Sequence, residues 1–352
     1  NDLPLLPPNI EIDSKRVLNY AIKANRELAR LKGYCSVLPN ESILLDSIIL
    51  KEATASSEIE NIVTTQDELY KALISKQKIA DPPTKEVLNY RSAMWVGYSE
   101  MQKNGLLTAN IIKGIQAKLE GNTAGIRKLT GTRLTNDVAG EVVYTPPDNE
   151  DSINKLLKNL EHYINTDDEV DDLVKMALIH YQFESIHPFY DGNGRTGRII
   201  NVLYLILKGL LDTPVLYLSS HIINHKSEYY TLLQEVRTKE KWEDWIIFML
   251  AAIEKTSIET FRIITSIVSL LDKTIEKCKA KLPRTTYSKE LIEQLYIQPY
   301  TKIEFLVKAG IGERRTASKY LKQLEEIGVL RSFQLWKETI YVNIELFDLL
   351  KG

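Results

Sequence analysis

The sequence predicts a mostly α-helical protein, and three observations lead to that class. Apolar residues recur at three- and four-residue steps over most of positions 13–277, which is the period of amphipathic helices. Gly, Pro or Asn interrupt this pattern at intervals, as at Gly33 and Asn104-Gly105. Strand-like composition is confined to residues 125–147 and 329–342.

The composition is that of an ordinary globular protein, long enough at 352 residues for two or three domains. A formal net charge of −2 gives no general attraction to nucleic acid or anionic membranes. No apolar run approaches the roughly 20 residues of a membrane helix, and the first residues do not resemble a signal peptide. We therefore expect a cytoplasmic protein without membrane contact. Cys35 and Cys278 fit free thiols, with one long-range disulfide as the alternative.

The first half of the chain begins with a proline-rich extended strap at 3–8. Helical periodicity then predicts helices at 13–33, 42–56, 65–76, 85–101 and 108–119. The third of these helices starts with a capping box, in which Glu68 follows Thr65 by three positions. The segment 125–147 contains a strand-like run at 141–145, which predicts a β-hairpin.

The second half is predicted to hold helices at 150–163, 171–183, 193–209, 226–238 and 242–277. The pattern changes near Leu282-Pro283. Three short helices (289–295, 302–309 and 313–326) and two strands (329–333 and 339–342) then predict a winged helix-turn-helix. The predicted domains are an N-terminal helical region (1–95), a core (96–260), a linking helix (261–283) and the winged helix (284–352).

The strongest functional signal is the segment 187–198, His-Pro-Phe-Tyr-Asp-Gly-Asn-Gly-Arg-Thr-Gly-Arg, between two predicted buried helices. Its glycines allow backbone N–H groups to converge on a ligand, and the following helix presents its positive N-terminal end. Arg195 and Arg198 are three residues apart, so they project toward the same anion. These features predict an oligophosphate-binding site.

Two further residues of this segment point to chemistry. Asp191 offers an oxygen ligand for Mg²⁺, which often binds through one or two carboxylates and substrate phosphates. His187 is the only group of the segment that can act as a base near neutral pH. Each residue alone has an ordinary structural explanation, but no such explanation covers all of them together between two buried helices.

The same segment resembles the Fic motif, His-Pro-Phe-x-[Asp/Glu]-Gly-Asn-Gly-Arg-x-x-Arg, at every specified position. The resemblance implies that His187 deprotonates a Ser, Thr or Tyr hydroxyl of a target protein, or of the chain itself. That hydroxyl would attack the α-phosphorus of ATP and expel pyrophosphate. Asp191 would hold Mg²⁺, and Phe189 would anchor the loop in the core. The implied ATP-binding residues are Gly192, Asn193, Gly194, Arg195 (β-phosphate), Thr196, Gly197 and Arg198 (γ-phosphate).

A second resemblance concerns the segment Ser56-Ser57-Glu58-Ile59-Glu60-Asn61. One class of Fic proteins has an inhibitory helix with the pattern [Ser/Thr]-x-x-x-Glu-[Gly/Asn], which Ser56, Glu60 and Asn61 match. The resemblance places this helix at about 52–62 and extends, with the Fic core, over residues 1–260. A Glu60 carboxylate on Arg198 would occupy the fork that the γ-phosphate needs.

Two weaker resemblances complete the predicted site. Region 125–147 resembles the Fic flap, whose edge pairs with an extended target segment, and Val143 and Tyr144 would be its residues nearest the site. A purely structural hairpin is the alternative. Tyr229, in the pair Tyr229-Tyr230, resembles an aromatic residue that closes over adenine in Fic proteins; packing in the core is the alternative.

These observations predict a protein adenylyltransferase that is autoinhibited by Glu60. Removal of AMP from a modified protein is a second prediction, in which Glu60 would position water. A DNA-binding regulator whose Fic core senses nucleotide is the third. The C-terminal 68 residues, 285–352, hold ten Lys or Arg against nine Asp or Glu. This near-neutral balance favours a protein contact or a homodimer over DNA for that region.

Overall fold

The computed structural model describes residues 3–36, 42–75, 81–135 and 142–351, and these are mostly helical. The helices of the first part are α1 (Lys15–Cys35), α2 (Ser42–Ile59), α3 (Gln66–Ile74), α4 (Pro82–Asn104) and α5 (Ala109–Glu120). After two short strands, β1 (Leu134–Thr135) and β2 (Val142–Tyr144), the core continues with α6 (Glu150–Asn165), α7 (Asp172–Ile186), α8 (Asn193–Leu207), α9 (Ser219–Asn224), α10 (Lys226–Lys239) and α11 (Trp242–Lys281).

The C-terminal region contains four helices and a small sheet. Its elements are α12 (Lys289–Gln294), β3 (Tyr300–Thr301), α13 (Ile303–Lys308), α14 (Arg314–Glu326), β4 (Arg331–Leu335), β5 (Glu338–Val342) and α15 (Ile344–Lys351). The sheet is antiparallel with the strand order β3-β5-β4. Neither β3 nor α15 was predicted. The two-residue strand β3 is too short to show a period in the sequence.

Polar caps explain where several helices begin. Thr65 Oγ1 accepts a hydrogen bond from Glu68 N (3.2 Å), so the predicted N-cap is confirmed. Asp81 caps α4 through Thr84 N (3.0 Å), and the two prolines that follow occupy its first turn. The helix predicted at 85–101 therefore begins three residues earlier, at Pro82.

The structure departs from the predictions for the helical part in three places. Helix α1 passes through Gly33 and ends at Cys35, because Gly33 has no positive φ that would terminate a helix there. The short helix α9 was not predicted. The proposed boundary at 260/261 falls inside α11, which is continuous over 40 residues. The linking helix is thus the second half of a core helix.

Helices α7 and α8 form the centre of the molecule and are buried on nearly all sides. Helix α11 packs on α7 through Trp245, which is fully buried and donates from Nε1 to Ala177 O (2.9 Å). The Trp245 indole also stacks on the His180 ring, with centroids 6.0 Å apart and an interplanar angle of 9°. This packing fixes the helix that ends at the candidate site.

The predicted hairpin at 125–147 is present as β1 and β2, which pair antiparallel with Leu134 opposite Tyr144. Residues 136–141 of the prediction lie outside the described residues. We call the described parts, 125–135 and 142–147, the flap segment. It lies against the end of α7 through contacts given below.

The C-terminal region packs on α3, which follows α2 in the chain. Tyr300 donates from its hydroxyl to Asp67 Oδ1 (2.5 Å), and its ring stacks on Tyr70 at 5.6 Å. Lys302 Nζ donates to Ile74 O at 2.9 Å. Elsewhere, Cys35 and Cys278 are buried thiols. Over the described ranges, we find no helix with both the length and the apolar character that crossing a membrane requires.

Because Trp245 fills the space between α7 and α11, we expect Trp245→Ala to lower the free energy of unfolding by about 3–5 kcal/mol. Chemical denaturation followed by far-ultraviolet circular dichroism measures this change. Trp336→Ala is the control, because Trp336 is 60% exposed and should change the unfolding free energy by less than about 0.5 kcal/mol. Equal effects of the two substitutions would contradict the packing described.

Candidate active site

The segment 187–198 forms the turn between α7 and α8. His187 ends α7 in the left-handed conformation (φ 47°, ψ 59°) and donates from its N–H to Phe183 O at 3.0 Å. A residue other than glycine costs about 1–2 kcal/mol in this conformation, so other contacts must hold it. Gly192, at φ 73°, is the N-cap of α8. Glycine adopts this φ without strain, and a Cβ there would force the carboxylate of Glu120, which binds Arg195, to shift.

The side chain of Asn193 holds the turn between α7 and α8 in its shape through two hydrogen bonds. Its side-chain amide accepts from Phe189 N (2.9 Å) and donates to Phe189 O (2.8 Å). Phe189 is 1% exposed and packs toward Phe183, with ring centroids 6.3 Å apart. In this structure the Asn193 side chain therefore shapes the loop, which leaves its backbone rather than its amide group for a phosphate.

Arg198 is 2% exposed, and Ser56 in α2 and Glu60 just after this helix accept its hydrogen bonds. Its Nε donates to Ser56 Oγ (2.6 Å), and its Nη2 donates to Ser56 O (2.8 Å) and to Glu60 Oε1 (2.8 Å). The structure thus brings Arg198 into contact with Ser56 and Glu60, which precede it by 142 and 138 positions in the sequence. Charge-assisted bonds of this kind are the strong ones among protein hydrogen bonds.

Arg195 is also 2% exposed, and it contacts three carboxylates. Its Nε donates to Glu60 Oε2 (2.9 Å), so Glu60 bridges both arginines of the motif. Its Nη1 donates to Glu86 Oε2 (2.9 Å) and its Nη2 to Glu120 Oε1 (3.0 Å). Sequence reasoning missed both Glu86 and Glu120, since nothing distinguishes them from other glutamates on helical surfaces.

The end of α2 places the Glu60 carboxylate at the N-terminus of α8. Asn61 adopts the left-handed conformation (φ 61°), which glycine and asparagine tolerate best and which explains that position of the resembled pattern. Its side chain accepts from Lys226 Nζ at 3.2 Å. A Cβ on Gly194 would lie 2.5 Å from Glu60 Oε1, so the carboxylate rests directly on the first turn of α8. That is where helix geometry favours an anion.

The remaining motif residues, Thr196 and Gly197, face the interior. Thr196 is fully buried, and a Cβ on Gly197 would meet Glu184 Oε1 at 2.6 Å. Burial raises the pKa of Glu184 to about 7, opposed by the charge of Arg198. Both motif residues therefore shape the packing of α8 against α7 in this structure.

The imidazole of His187 is neutral at physiological pH. Burial, with the positive charges of Arg127 and Arg237 as smaller causes, lowers its pKa to about 4, and the negative charge of Glu60 opposes this shift. Its Nδ1 has no hydrogen-bond partner among the described residues. A neutral imidazole with an available nitrogen can accept a proton, as a general base must.

Arg127 is a residue of the site that sequence reasoning missed. It is 1% exposed, and its Nε donates to His187 O at 2.7 Å. Ile126 beside it forms an isolated antiparallel bridge with Phe189. A buried arginine that binds backbone carbonyls leaves no periodic or motif signal in one sequence.

The residues of the two weaker predictions, the flap residues and Tyr229, differ in how exposed they are in the structure. In the flap segment Val143 is 41% exposed, whereas the Tyr144 hydroxyl donates to Ser185 O at 2.9 Å. Tyr229 is 1% exposed, and its hydroxyl bonds His180 Nε2 at 2.9 Å. The structure places Tyr229 in the core, while its neighbour Tyr230 is 48% exposed.

Asp191 fits a magnesium ligand by its chemistry and its exposure. Its side chain is 75% exposed, its Oδ1 accepts from Gly192 N (2.7 Å), and Arg195 Nη2 lies 3.9 Å away. Over the described ranges no group of three or more His, Cys, Asp or Glu side chains is arranged to hold a metal ion. One carboxylate is enough for Mg²⁺ when substrate phosphates supply further oxygens.

Comparison with known families gives three matches along the chain. A model of the Fic/DOC family N-terminal region matches residues 18–99, and a model of the Fic/DOC family matches residues 106–205. A model of the C-terminal domain of SoFic-like protein adenylyltransferases matches residues 270–346. The first range contains Glu60, and the second contains the segment 187–198.

Among curated proteins, the chain is similar to a probable protein adenylyltransferase of Aquifex aeolicus, with 28% identity over 54% of this chain and 56% of the relative. It is 29% identical to the protein adenylyltransferase Fic of Aedes aegypti, over 49% of this chain and 33% of the relative. The chain therefore spans about a third to just over half of these relatives.

Two solved structures are similar in fold. A Fic family protein from Desulfovibrio desulfuricans G20 superposes with a TM-score of 0.60 at 21% identity, over 96% of this chain and 97% of that one. Fic-1 from C. elegans gives a TM-score of 0.55 at 18% identity, over 70% of this chain and 73% of that one. Both results concern the fold alone.

We expect the imidazole of His187 to titrate near pH 4 and to stay neutral between pH 6 and 8. Histidine NMR signals followed across pH, with His187→Gln for assignment, measure this directly. In Glu60→Gly the pKa should not rise, because the negative charge that raises it is removed. A midpoint near 6.5 in either protein would contradict the burial described.

Proposed function

We propose that this chain, which belongs to the Fic/DOC family, is a protein adenylyltransferase held inactive by Glu60. One observation carries the proposal. The carboxylate of Glu60 binds both buried arginines of the segment 187–198, which are the groups best suited to hold the β- and γ-phosphates of ATP. The names of the similar curated proteins support AMP as the transferred group.

The proposed reaction is the transfer of AMP to a Ser, Thr or Tyr hydroxyl of a target protein or of the chain itself. His187 accepts the hydroxyl proton, and the oxygen attacks the α-phosphorus of ATP. The bond from the α-phosphorus to its bridging oxygen breaks, and pyrophosphate leaves. Arg195 and Arg198 would stabilise the charge that develops on the leaving group.

Backbone groups and one carboxylate complete the proposed machinery. The N–H groups of Asn193 and Gly194 stand at the positive end of α8 and would bind phosphate oxygens, and that of Gly192 would join them after releasing Asp191 Oδ1. Asp191 would hold Mg²⁺, which when bound supplies further charge neutralisation on the phosphates. Asn193 also keeps the loop closed, so its substitution would disturb the shape of the site as well as phosphate binding.

Autoinhibition follows from competition for the same donors. Phosphate oxygens and the Glu60 carboxylate both require the guanidinium N–H groups of Arg195 and Arg198. ATP that enters while Glu60 is in place would lack its γ-phosphate contact, so its α-phosphate would be misplaced for attack. Each charge-assisted hydrogen bond contributes about 1.5–3 kcal/mol, so loss of Glu60 removes a substantial barrier.

The acceptor is proposed to pair with the flap segment. The strand β2 exposes Val142 (49%) and Val143 (41%), and an exposed strand edge can bind an extended peptide through its backbone. Tyr144 would support this edge from below rather than contact the acceptor, since its hydroxyl is bound to Ser185 O. An adenine contact through Tyr229 would need a different conformation, because Tyr229 is 1% exposed here, whereas its neighbour Tyr230 is 48% exposed.

Removal of AMP from a modified protein is the second candidate. It would need Glu60 to orient a water molecule. Both carboxylate oxygens of Glu60 bind arginines here, so this conformation favours the inhibitory role. A different conformation of α2 would be needed for the water-positioning role.

We further infer that the C-terminal region is a winged helix. Its order of helix, strand, two helices and two strands supports this assignment, as does the antiparallel sheet. Helix α14 exposes Arg314, Arg315, Lys319 and Lys322 beside Glu326. The near-neutral charge of residues 285–352 as a whole, with ten Lys or Arg against nine Asp or Glu, favours a protein contact or a homodimer over DNA.

Incubation with α-labelled ATP and Mg²⁺ tests the proposed function. We expect Glu60→Gly to raise label transfer to the chain itself or to lysate proteins by about tenfold or more, since at least one strong bond per arginine is lost. Adding His187→Ala should abolish this gain, and γ-labelled ATP should give no label. Glu58→Gly is the matched control, because Glu58 is an exposed glutamate in the last turn of α2, two positions before Glu60. A silent Glu60→Gly protein would refute the proposal.

A further inference from the structure

The C-terminal end of α7 is capped by one buried arginine, Arg127. The last carbonyl groups of a helix have no partner within the helix. Here Arg127 donates from Nε to His187 O (2.7 Å) and from Nη2 to Ile186 O (3.4 Å). Its backbone N–H also donates to Pro188 O at 3.0 Å. Three successive carbonyls around the candidate base are therefore bound by a single residue.

The same guanidinium also binds two other residues of the flap segment, in which Arg127 itself lies. Arg127 Nη2 donates to Pro147 O, and Nη1 donates to Thr132 Oγ1 at 3.4 Å. Thr132 precedes β1 and Pro147 follows β2, so Arg127 contacts both chain segments that flank the β1–β2 pair. A separate contact joins the same elements, because the Tyr144 hydroxyl donates to Ser185 O at 2.9 Å. The flap segment and the end of α7 are thus one connected unit.

We propose that Arg127 is a positioning residue that fixes the backbone of His187 and the flap segment in one relative orientation. The proposal rests on the AMP transfer proposed above, in which the flap presents the acceptor hydroxyl and His187 takes its proton. No step of that reaction needs Arg127 itself. Its role is to set the distance between the acceptor and the base.

The conformation of His187 shows why such a contact is needed. At φ 47° a histidine backbone is less stable than in the right-handed helical region. The hydrogen bond from Arg127 Nε to His187 O opposes relaxation of that turn. A displacement of about 1 Å at a reacting group can cost on the order of 100-fold in rate, so a small relaxation would be visible in catalysis.

A lysine at position 127 would keep the positive charge but could not form the same set of hydrogen bonds. Arg127 bonds acceptors in several directions through Nε, Nη1 and Nη2, whereas a lysine has one nitrogen. The charge itself acts on His187, along with Arg237 on α10 and Glu60 on α2. Position and charge can therefore be separated by comparing Arg127→Lys with Arg127→Met.

The experiment uses the full chain with Glu60→Gly as the active parent. Arg127→Lys, Arg127→Met and Tyr144→Phe are added singly, and kcat and KM are measured for ATP and for the acceptor. Arg262→Met, on the exposed face of α11, is the matched control. Circular dichroism confirms folding, and the pKa of His187 is followed by NMR in each protein.

We expect Arg127→Lys to lower kcat about 10–100-fold, with KM for ATP changed by less than about threefold. Its His187 should still titrate near pH 4, because the positive charge remains. Arg127→Met should lose at least as much rate and also raise the pKa of His187 toward 6.5. Tyr144→Phe should lose less, since Arg127 still joins the flap to α7. Arg262→Met should match the parent.

Full activity of Arg127→Lys would overturn the proposal, because only the charge would then matter. A rise of KM for ATP in step with the fall in kcat would also overturn it, since that indicates general damage to the nucleotide site. If the Glu60→Gly parent transfers no label, the proposed function fails, and NMR alone decides on Arg127. An unchanged His187 ring spectrum in folded Arg127→Lys would then refute the positioning role.

Discussion

Two buried guanidinium groups at the start of α8 constrain the rest of the site. Arg195 and Arg198 are each 2% exposed, and a buried charge left without an anionic partner is strongly destabilising. The chain must therefore supply carboxylates whenever phosphates are absent. Glu60 supplies one carboxylate to both arginines, and the ending of α2 at the left-handed Asn61 sets its position. The fold of the N-terminal region and the state of the candidate active site are coupled through this contact.

The two arginines differ in what remains when Glu60 leaves. Arg195 keeps Glu86 and Glu120 as partners, whereas Glu60 is the one carboxylate that pairs with Arg198 within the described residues. Release of Glu60 therefore changes the charge balance at Arg198 most. The contact between Glu60 and Arg198 therefore has two consequences. It neutralises the buried charge of Arg198 when no ligand is bound, and it competes with the γ-phosphate that Arg198 is proposed to bind.

The sequence predicted the helical class and the central parts of the site, because long periodic helices and the segment 187–198 are local signals. The pairing of Glu60 with Arg198 could be expected only through resemblance to a family pattern. The contacts of Arg195 with Glu86 and of Arg127 with His187 could not, because they join residues 109 and 60 positions apart through ordinary side chains. For Tyr229 the sequence suggested a binding residue where the structure has a core residue. An aromatic pair has the same sequence pattern in a core and in a binding site. The burial of Tyr229 depends on His180 and Trp245, which only the folded chain brings together.

The most direct test of the central claim compares the binding of two nucleotides by titration calorimetry. If Glu60 competes with the β- and γ-phosphates, Glu60→Gly should tighten ATP binding by about tenfold or more, which is about 1.4 kcal/mol. AMP has neither of these phosphates, so its affinity should change by less than about threefold. An equal change for ATP and AMP, or no change for ATP, would contradict the account.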